Sequence, residues 1–439
     1  MDQATTHSER DSSTVTETSL LRSPQRPPRG YVPTLALSQF GMYLALIAPT
    51  IGGLSVKIQG LVGLEAAPGQ LGFVTGIGAL FALVVQPLAG RLSDRTTSRF
   101  GMRRPWIAVG VIGMALALVG CALASSIPLL LVAWCAAQLF ANFAFAAQSA
   151  SIADQVPEPK RGGVSGIIGA ATPLGVLVGA VLLALLPNDV LRFTVPAVIA
   201  LIVGLLFALA LKDRVRATKP AEPLSVRQLL SSFVFDPRKN PDFGWAWLSK
   251  LLILLGYMSI STYLTLYLAS AYGMEIDEQL AFNSLANVVG VSALIVFSVL
   301  GGFLSDRVGR RKPFVVASGL VIAVGVALIA GSPAFGAAGL GTILIGEAIL
   351  GAGAGCFFAV DQALCIALLP DPEHTAKDLG VLNIANTLPS SIAPLLGGVL
   401  VIPLGNALFA GGGYTLWFAV ATIIAIVGAF LVLRIRGVR

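Results

Sequence analysis

Residues 90–105 read Gly90-Arg-Leu-Ser-Asp94-Arg95-Thr-Thr-Ser-Arg99-Phe-Gly101-Met-Arg103-Arg104-Pro105 and lie between two long apolar runs. This polar segment contains five arginines and one aspartate. A shorter version returns as Gly302-Phe-Leu-Ser-Asp306-Arg307-Val-Gly309-Arg310-Arg311-Lys312-Pro313, again between apolar runs. A polar hairpin that recurs half a chain later between membrane-length segments indicates an internally duplicated membrane protein.

The composition of the 439-residue chain excludes a soluble globular protein. Hydrophobic residues make up 56% of the chain and charged residues only 12%, whereas soluble domains carry about 25% charged residues. A chain this apolar needs lipid as its solvent. The net charge of +7 does not indicate a nucleic-acid partner, because the basic residues fall in short loops between apolar runs.

The apolar runs predict an all-α polytopic membrane protein. A helix that crosses about 30 Å of hydrocarbon needs about 20 apolar residues. The runs are too long, too continuous and too rich in Ala, Leu and Gly for barrel strands. We predict twelve spans, near 33–54, 70–91, 105–125, 127–155, 164–186, 192–211, 244–271, 280–304, 313–332, 339–369, 378–402 and 413–434.

Matching features in the two halves predict two pseudo-symmetric six-helix bundles. Asp94 and Asp306 lie 212 residues apart, and the proline-rich segments 156–159 and 369–372 lie 213 apart. The predicted organisation is a disordered tail at 1–30, a first bundle at 31–211, a linker with an amphipathic helix at 212–243, a second bundle at 244–435 and a C-terminal segment at 436–439.

Lysine and arginine predict the orientation in the membrane. If the N-terminal tail is cytoplasmic, 26 of the 29 basic residues lie in cytoplasmic segments. Only Lys57 and Arg192 then face outside, and Lys250 lies within a span. Cytoplasmic loops of membrane proteins carry this excess of positive charge. We therefore expect a multi-pass protein of the cell membrane with both termini in the cytoplasm.

The duplicated hairpins resemble those of the major facilitator superfamily, and the resemblance covers the chain after residue 31. It rests on the Gly-x-Leu-Ser-Asp-Arg hairpins after spans two and eight, the 6+6 duplication and the central linker. The first hairpin, with Ser-Arg-Phe-Gly-Met-Arg-Arg-Pro-Trp, is similar to that of the sucrose-type and glycoside-pentoside-hexuronide cation symporters. The insertion Thr96-Thr97-Ser98 departs from the compact form that the second hairpin keeps.

The resemblance implies that the hairpins form a gate between the bundles. Asp94 would dock on span eleven near 377–380, and Asp306 on span five near 161–163. An aspartate at such a place can interact with the positive N-terminus of a helix. The alternative is that the arginines only set the orientation. The expected gating residues are Gly90, Asp94, Arg95, Arg103, Arg104, Gly302, Asp306, Arg307, Arg310 and Arg311.

Three charged residues are predicted inside the membrane. A charge near the bilayer centre costs at least about 2.5–3.5 kcal/mol, so each of them is expected to have a structural or functional role. Lys250 belongs to span seven, and Glu347 and Asp361 to span ten. The two acids share one helical stripe with the small residues Gly351 and Ala354, which predicts a water-filled path. Lys250 and Asp361 lie at similar depth, so we expect them either to form an ion pair, or Lys250 to snorkel to the interface. All three are candidate coupling residues.

Amide and hydroxyl side chains within the spans supply candidate contacts for a polar substrate. The alternative for each is a hydrogen bond that joins two helices. The candidates are Gln39, Tyr43, Asn142, Gln148, Asn287, Gln362, Asn383 and Asn386.

These features predict a secondary transporter that works by alternating access, as a monomer and with protons as the coupling ion. No Walker motif is present, so ATP is not the expected energy source. We expect a sugar or glycoside to be taken up; the alternative is proton-coupled efflux of drugs or metabolites, and a non-transporting membrane sensor ranks below both. The only histidines are His7 and His374, and the four cysteines lack metal-ligand spacing, so we expect no enzyme activity, no metal site and no cofactor.

Overall fold

The computed structural model describes residues 27–215, 238–368, 375–409 and 411–437, and at 375–379 it describes the backbone only. Residues 1–26 of the predicted tail and the amphipathic segment of the linker lie outside the described residues. All regular elements in the described part are helical. Ten stretches in it are long and apolar enough to cross a membrane, and two of these have 64 and 56 residues. Each of the two is long enough for two crossings, which gives the predicted twelve spans.

The first bundle begins with a continuous helical stretch. Spans one and two are joined through a π-helical turn at Pro49–Gly53. Gly63 breaks the second helix with φ 78° and ψ 166°, a conformation open mainly to glycine. The helices of the first bundle are Tyr31–Ala48, Leu54–Asp94, Arg104–Leu123, Ile127–Gln155, Glu158–Gly169 with Ala171–Leu185 as span five, and Asp189–Ala210.

The second bundle repeats this plan. Spans nine and ten are joined through a 3₁₀ segment, Ser332–Ala338. Span eleven contains Thr375–Thr387, Pro389–Pro394, a π-helical stretch at Leu395–Val401, and Ile402–Leu408. The other helices are Pro241–Tyr272, Ile276–Val308, Lys312–Gly331, Gly339–Ala367 and Gly413–Leu431, with a last 3₁₀ turn at Val432–Arg434.

The connection between spans one and two differs from the prediction. The sequence predicted a loop between 54 and 70, but this segment is helical on both sides of Gly63. Leu54 and Ile58 lie one turn apart and are fully buried, so this piece has an apolar face that packs against the bundle.

Span ten packs tightly against span eight through glycine. A Cβ atom at Gly351 would lie 2.0 Å from the carbonyl oxygen of Gly290. The predicted open space beside Gly351 is therefore wrong: the backbone of span eight fills it. Ala354, the next small residue of the stripe, is 1% exposed. No water-filled path connects the two acids along these described residues.

Two ends of the molecule can be told apart by charge. We call the end that carries residues 91–104 and 307–312 the basic end, and the opposite end the distal end. The excess of lysine and arginine predicts that the basic end faces the cytoplasm.

Candidate functional site

A buried ion pair lies between spans seven and ten. The Nζ atom of Lys250 is 2.8 Å from Oδ2 of Asp361, and the two side chains are 3% and 4% exposed. Cys365, one turn along span ten, points its Sγ at both carboxylate oxygens from 3.7 Å. Of the two alternatives for Lys250, the structure has the ion pair and not a side chain that snorkels to the interface. Removing one partner of a buried pair costs about 3–5 kcal/mol, so each charge holds the other in place.

The other acid of span ten lies in a separate small cavity. Glu347 is partly buried, and its Oε2 would be 2.9 Å from a Cβ atom at Gly290. The cavity has a volume of about 30 Å³ and is also lined by Tyr257, Ser261 and Asn287, which is room for one or two water molecules. Within the described residues, the Glu347 carboxylate makes no hydrogen bond or ion pair. It is therefore a second intramembrane acid, available to a proton or a ligand.

The predicted amides of the first bundle are partly used by the protein itself. Gln148 is fully buried, and its Nε2 donates to Ser38 Oγ at 2.9 Å. Its Oε1 is buried and has no hydrogen-bond partner among the described residues. Asn142 donates to the carbonyl oxygen of Gln138, one turn earlier in its own helix. Gln148 thus joins spans one and four, which is the alternative to substrate binding that the sequence left open. Its Oε1 is still free to accept a hydrogen bond from a ligand.

The remaining candidates are spread over several environments. Gln39 is 4% exposed, and the ring of Tyr43 packs against Phe145 with centroids 5.0 Å apart. Asn287 donates to the carbonyl oxygen of Asn283 at 2.8 Å and lines the Glu347 cavity. The other three lie on spans ten and eleven: Gln362 and Asn383 are exposed and Asn386 is half-buried.

The first hairpin is organised around Arg103. Its guanidinium lies 2.6 Å from Asp94 Oδ1 and 3.0 Å from Asp154 Oδ2, and it donates to Ser93 Oγ at 2.6 Å. Burial lowers the pKa of Arg103, but the Asp154 and Asp94 carboxylates raise it more, so the net shift is upward. Asp154 pairs with Arg103 because the hairpin folds back onto the end of span four.

Asp213 anchors the same hairpin, a role that sequence reasoning missed. Its carboxylate accepts from the backbone N–H groups of Arg103 at 2.6 Å and Arg104 at 2.8 Å, which begin span three. Capping of this kind satisfies donors that a helix leaves unpaired. Arg104 also donates to Leu209 O. The signal for this role in the sequence was a single acidic residue, Asp213, directly after span six.

The remaining first-hairpin candidates make fewer contacts. Arg95 ends the helix of span two, with its N–H donating to Leu92 O at 3.1 Å. Among the described residues, no heavy atom lies within 4 Å of a Cβ atom built at Gly90. Gly90 therefore makes no close contact with another helix in the described part of the chain. The contact expected between Asp94 and residues 377–380 involves side chains outside the described part of the chain.

The second hairpin is more open. Asp306, Arg307 and Arg310 are exposed, and Arg311 donates to Ala363 O at 2.8 Å. Gly302 lies in ordinary contact with span ten, 3.6 Å from Ala359 Cβ.

The contact expected between Asp306 and residues 161–163 is not formed. Among the described residues, no heavy atom lies within 4 Å of a Cβ atom built at Gly162 or Gly163, so span eight does not pack against span five at these positions.

The distal end is closed by contacts between the bundles, which the sequence did not reveal. Ile51 O accepts from Thr265 Oγ1 at 3.1 Å and from Asn283 Nδ2 at 2.9 Å. Tyr263 donates to Pro394 O at 2.6 Å and lies 3.4 Å from Pro68 O, so it bridges spans two and eleven.

These features define a helical membrane protein of two six-helix bundles, with a buried ion pair in the second and a closed distal end. The profile of the Major Facilitator Superfamily matches residues 32–295 and 279–439, and the chain belongs to this family. It is thus a multi-pass membrane transporter protein.

Relatives among characterised proteins carry the name multidrug resistance protein MdtG. The protein from Citrobacter koseri is 29% identical over 311 residues, which are 69% of this chain and 73% of that one. The protein from Escherichia coli O9:H4 is 27% identical over 281 residues, 63% of this chain and 66% of that one. The sequence similarity thus leads to multidrug transporters and not clearly to the sucrose-type branch.

Solved structures with the same fold include transporters of several kinds. The nucleoside transporter NupG has a TM-score of 0.73 at 15% identity and covers 92% of this chain and 100% of its own. A bacterial homologue of the lysosomal transporter Spinster, inward-facing and occupied, has a TM-score of 0.70 at 16% identity, covering 94% and 97%. A D-xylose-proton symporter has a TM-score of 0.66 at 17% identity, covering 92% and 96%. At these identities the likeness shows the fold alone.

Proposed function

We propose that the chain is a proton-coupled exporter of drug-like or metabolic small molecules that works as a monomer by alternating access. The observation that carries the proposal is the buried Lys250–Asp361 pair, 2.8 Å apart between spans seven and ten. The names of the relatives support export more than uptake. Both termini and the basic end would face the cytoplasm.

The pair can couple a proton to a change in conformation. With Asp361 ionised, its charge is balanced by Lys250, and the two spans are tied together. A proton on Asp361 removes this balance and leaves a buried lysine charge, which is costly away from water. The cost is relieved when the bundle shifts so that Lys250 reaches water or a ligand. The two protonation states would thereby favour different conformations.

The described state supports a cycle in which substrate enters at the basic end while the distal end is closed. Contacts of Ile51 and Tyr263 close the distal end, while no described heavy atom lies within 4 Å of a Cβ atom built at Gly162 or Gly163 of span five. A substrate would enter there from the cytoplasm. Glu347, with Tyr257 and Asn287 in its cavity, would serve as a second coupling acid or as a substrate contact.

Uptake of a sugar or glycoside is the second candidate. The amides that favoured it are present, and Gln148 keeps a buried acceptor, Oε1, without a partner among the described residues. However, the Nε2 of Gln148 and the amide of Asn142 are engaged within the first bundle. The structure offers few free amides around one point, so we rank this candidate below export.

The test uses purified protein in vesicles with an imposed proton gradient. A panel of fluorescent cationic dyes and a panel of labelled sugars are offered, with and without a proton ionophore. We expect ionophore-sensitive dye transport by the parent chain, and only dye exchange, without accumulation, by Asp361→Asn. Glu65→Gln removes an exposed carboxylate at the distal end and should transport normally. Accumulation of a sugar without dye transport would overturn the export proposal.

A further inference from the structure

A groove on the outer face of the second bundle is not used by the proposed transport cycle. It has a volume of about 610 Å³ and lies where spans nine and twelve meet near the basic end. Its wall is formed by Pro313, Val316, Ala317, Leu320 and Leu433. The first four follow the spacing of one helix face, and they extend about 10 Å along span nine.

Two cations stand at the mouth of this apolar wall. Arg310 and Lys312 line the groove, and none of the described residues that line it is acidic. Arg310 is exposed and makes no hydrogen bond or ion pair with the described residues. Lys312 donates to Ile435 O, which leaves two of its three ammonium donors for another acceptor. The groove therefore combines two basic donors with an apolar surface below them.

Comparison of the two hairpins shows that this charge is not needed to build the hairpin. Counted back from Pro105 and Pro313, Arg103 corresponds to Arg311, and Met102 corresponds to Arg310. The first hairpin thus has an apolar residue where the second has a free arginine.

The acids differ as well. Arg103 is neutralised by Asp94 and Asp154, whereas the position 213 residues after Asp154 is Ala367. The second hairpin keeps positive charge that the first hairpin neutralises.

We propose that this groove binds an anionic phospholipid. Its phosphate contacts Arg310 and Lys312, and the upper part of one acyl chain lies against Pro313, Ala317 and Leu433. Basic pockets between membrane helices at the cytoplasmic surface suit such headgroups, and each lysine or arginine near the surface is worth about fivefold in affinity for anionic lipid. The bound lipid would link the end of span twelve to the start of span nine.

The experiment adds phosphatidylglycerol, or phosphatidylcholine with the same acyl chains, to the purified full-length protein in detergent. Native mass spectrometry counts the bound lipids, and intrinsic fluorescence follows thermal unfolding. We expect phosphatidylglycerol to bind more tightly and to raise the unfolding temperature. Arg310→Gln should weaken its binding about fivefold. Ala317→Phe, which fills the groove and keeps both cations, should also weaken it.

The matched control is Arg307→Gln, because Arg307 is an exposed cation of the same hairpin that does not line the groove. Unchanged lipid binding in this variant, together with the losses above, supports the site. Equal binding of the two lipids by the parent chain would overturn the proposal. So would an equal loss in Arg307→Gln and Arg310→Gln, since the attraction would then be general surface charge.

Discussion

Arg192 of span six donates to Asp277 of span eight across 3.0 Å, and this ion pair joins the two bundles at the distal end. The Arg192 side chain is 5% exposed and that of Asp277 is 87% exposed. Because one partner faces water, the pair stabilises the closed end by only about 0.2–1 kcal/mol. A weak link of this size suits a gate that must open in each transport cycle.

Loss of this pair should favour opening of the distal end. Asp277→Asn is expected to shift the equilibrium toward the open state by a factor of about 1.4 to 5. The measurement is the rate at which a water-soluble maleimide labels Ala180→Cys, since Ala180 is fully buried in a cluster with Ile51 and Leu280. Labelling should accelerate in Asp277→Asn and stay unchanged in Glu65→Gln, which has an exposed acid at the same end. Equal rates in all three proteins would show that the pair does not hold the gate.

Glycine at the contact of spans two and eleven should be required for the closed state. A Cβ atom at Gly398 would lie 2.1 Å from Pro68 O and 2.3 Å from the Tyr263 hydroxyl. Gly398→Ala should therefore prevent closure and abolish net transport while the protein stays folded.

The matched control for this variant is Gly69→Ala. Its added methyl would lie 3.6 Å from Gly398 O, which is ordinary contact. Transport assays in vesicles and thermal unfolding of both variants make the comparison. Normal transport by Gly398→Ala would contradict the packing argument.

The architecture could be predicted from sequence because it follows from strong and local signals. Apolar runs of membrane length, the repeated hairpin and the residue offset near 213 each report the twelve-span plan. The ion pair was also accessible, since Lys250 and Asp361 were rare charges at similar depth in neighbouring spans. Because a charge inside the membrane costs free energy, such a residue indicates a structural or functional contact.

Contacts that depend on the conformation could not be predicted. Backbone acceptors such as Ile51 O and Pro68 O carry no sequence signal, although they close the distal end with Thr265 and Tyr263. The role of Gly351 was misjudged for a related reason: small residues permit either open space or close packing, and only the position of span eight decides between them. The partner of Asp154 depended on how the hairpin folds back.

The first hairpin should depend on Gly101 and much less on Gly90. Gly101 has φ 107°, and a Cβ atom there would lie 2.2 Å from the Asp213 carboxylate. Gly101→Ala should lower thermal stability, because it strains the backbone and displaces the cap of span three, a loss of about 0.5–2 kcal/mol for the cap alone.

Gly90→Ala is the matched control for Gly101→Ala, because no heavy atom of the described residues lies within 4 Å of a Cβ atom built at Gly90. Thermal unfolding followed by intrinsic fluorescence compares the two variants. Equal stability losses would argue against the anchoring role of Asp213. A transport defect in Gly90→Ala without a loss of stability would indicate that Gly90 makes its close contact in another conformation.

The buried pair should respond differently to loss of one charge and loss of both. Lys250→Met leaves Asp361 buried without its partner, and we expect a stability loss of about 3–5 kcal/mol. The double variant Lys250→Met with Asp361→Asn removes both charges and should recover much of that loss, since neutral residues of similar size are tolerated in place of a buried pair. Proton-driven transport should be absent in the double variant, while substrate exchange continues, as expected for Asp361→Asn. Recovery of proton-driven accumulation without Asp361 would place the coupling site elsewhere, with Glu347 as the next acid to replace.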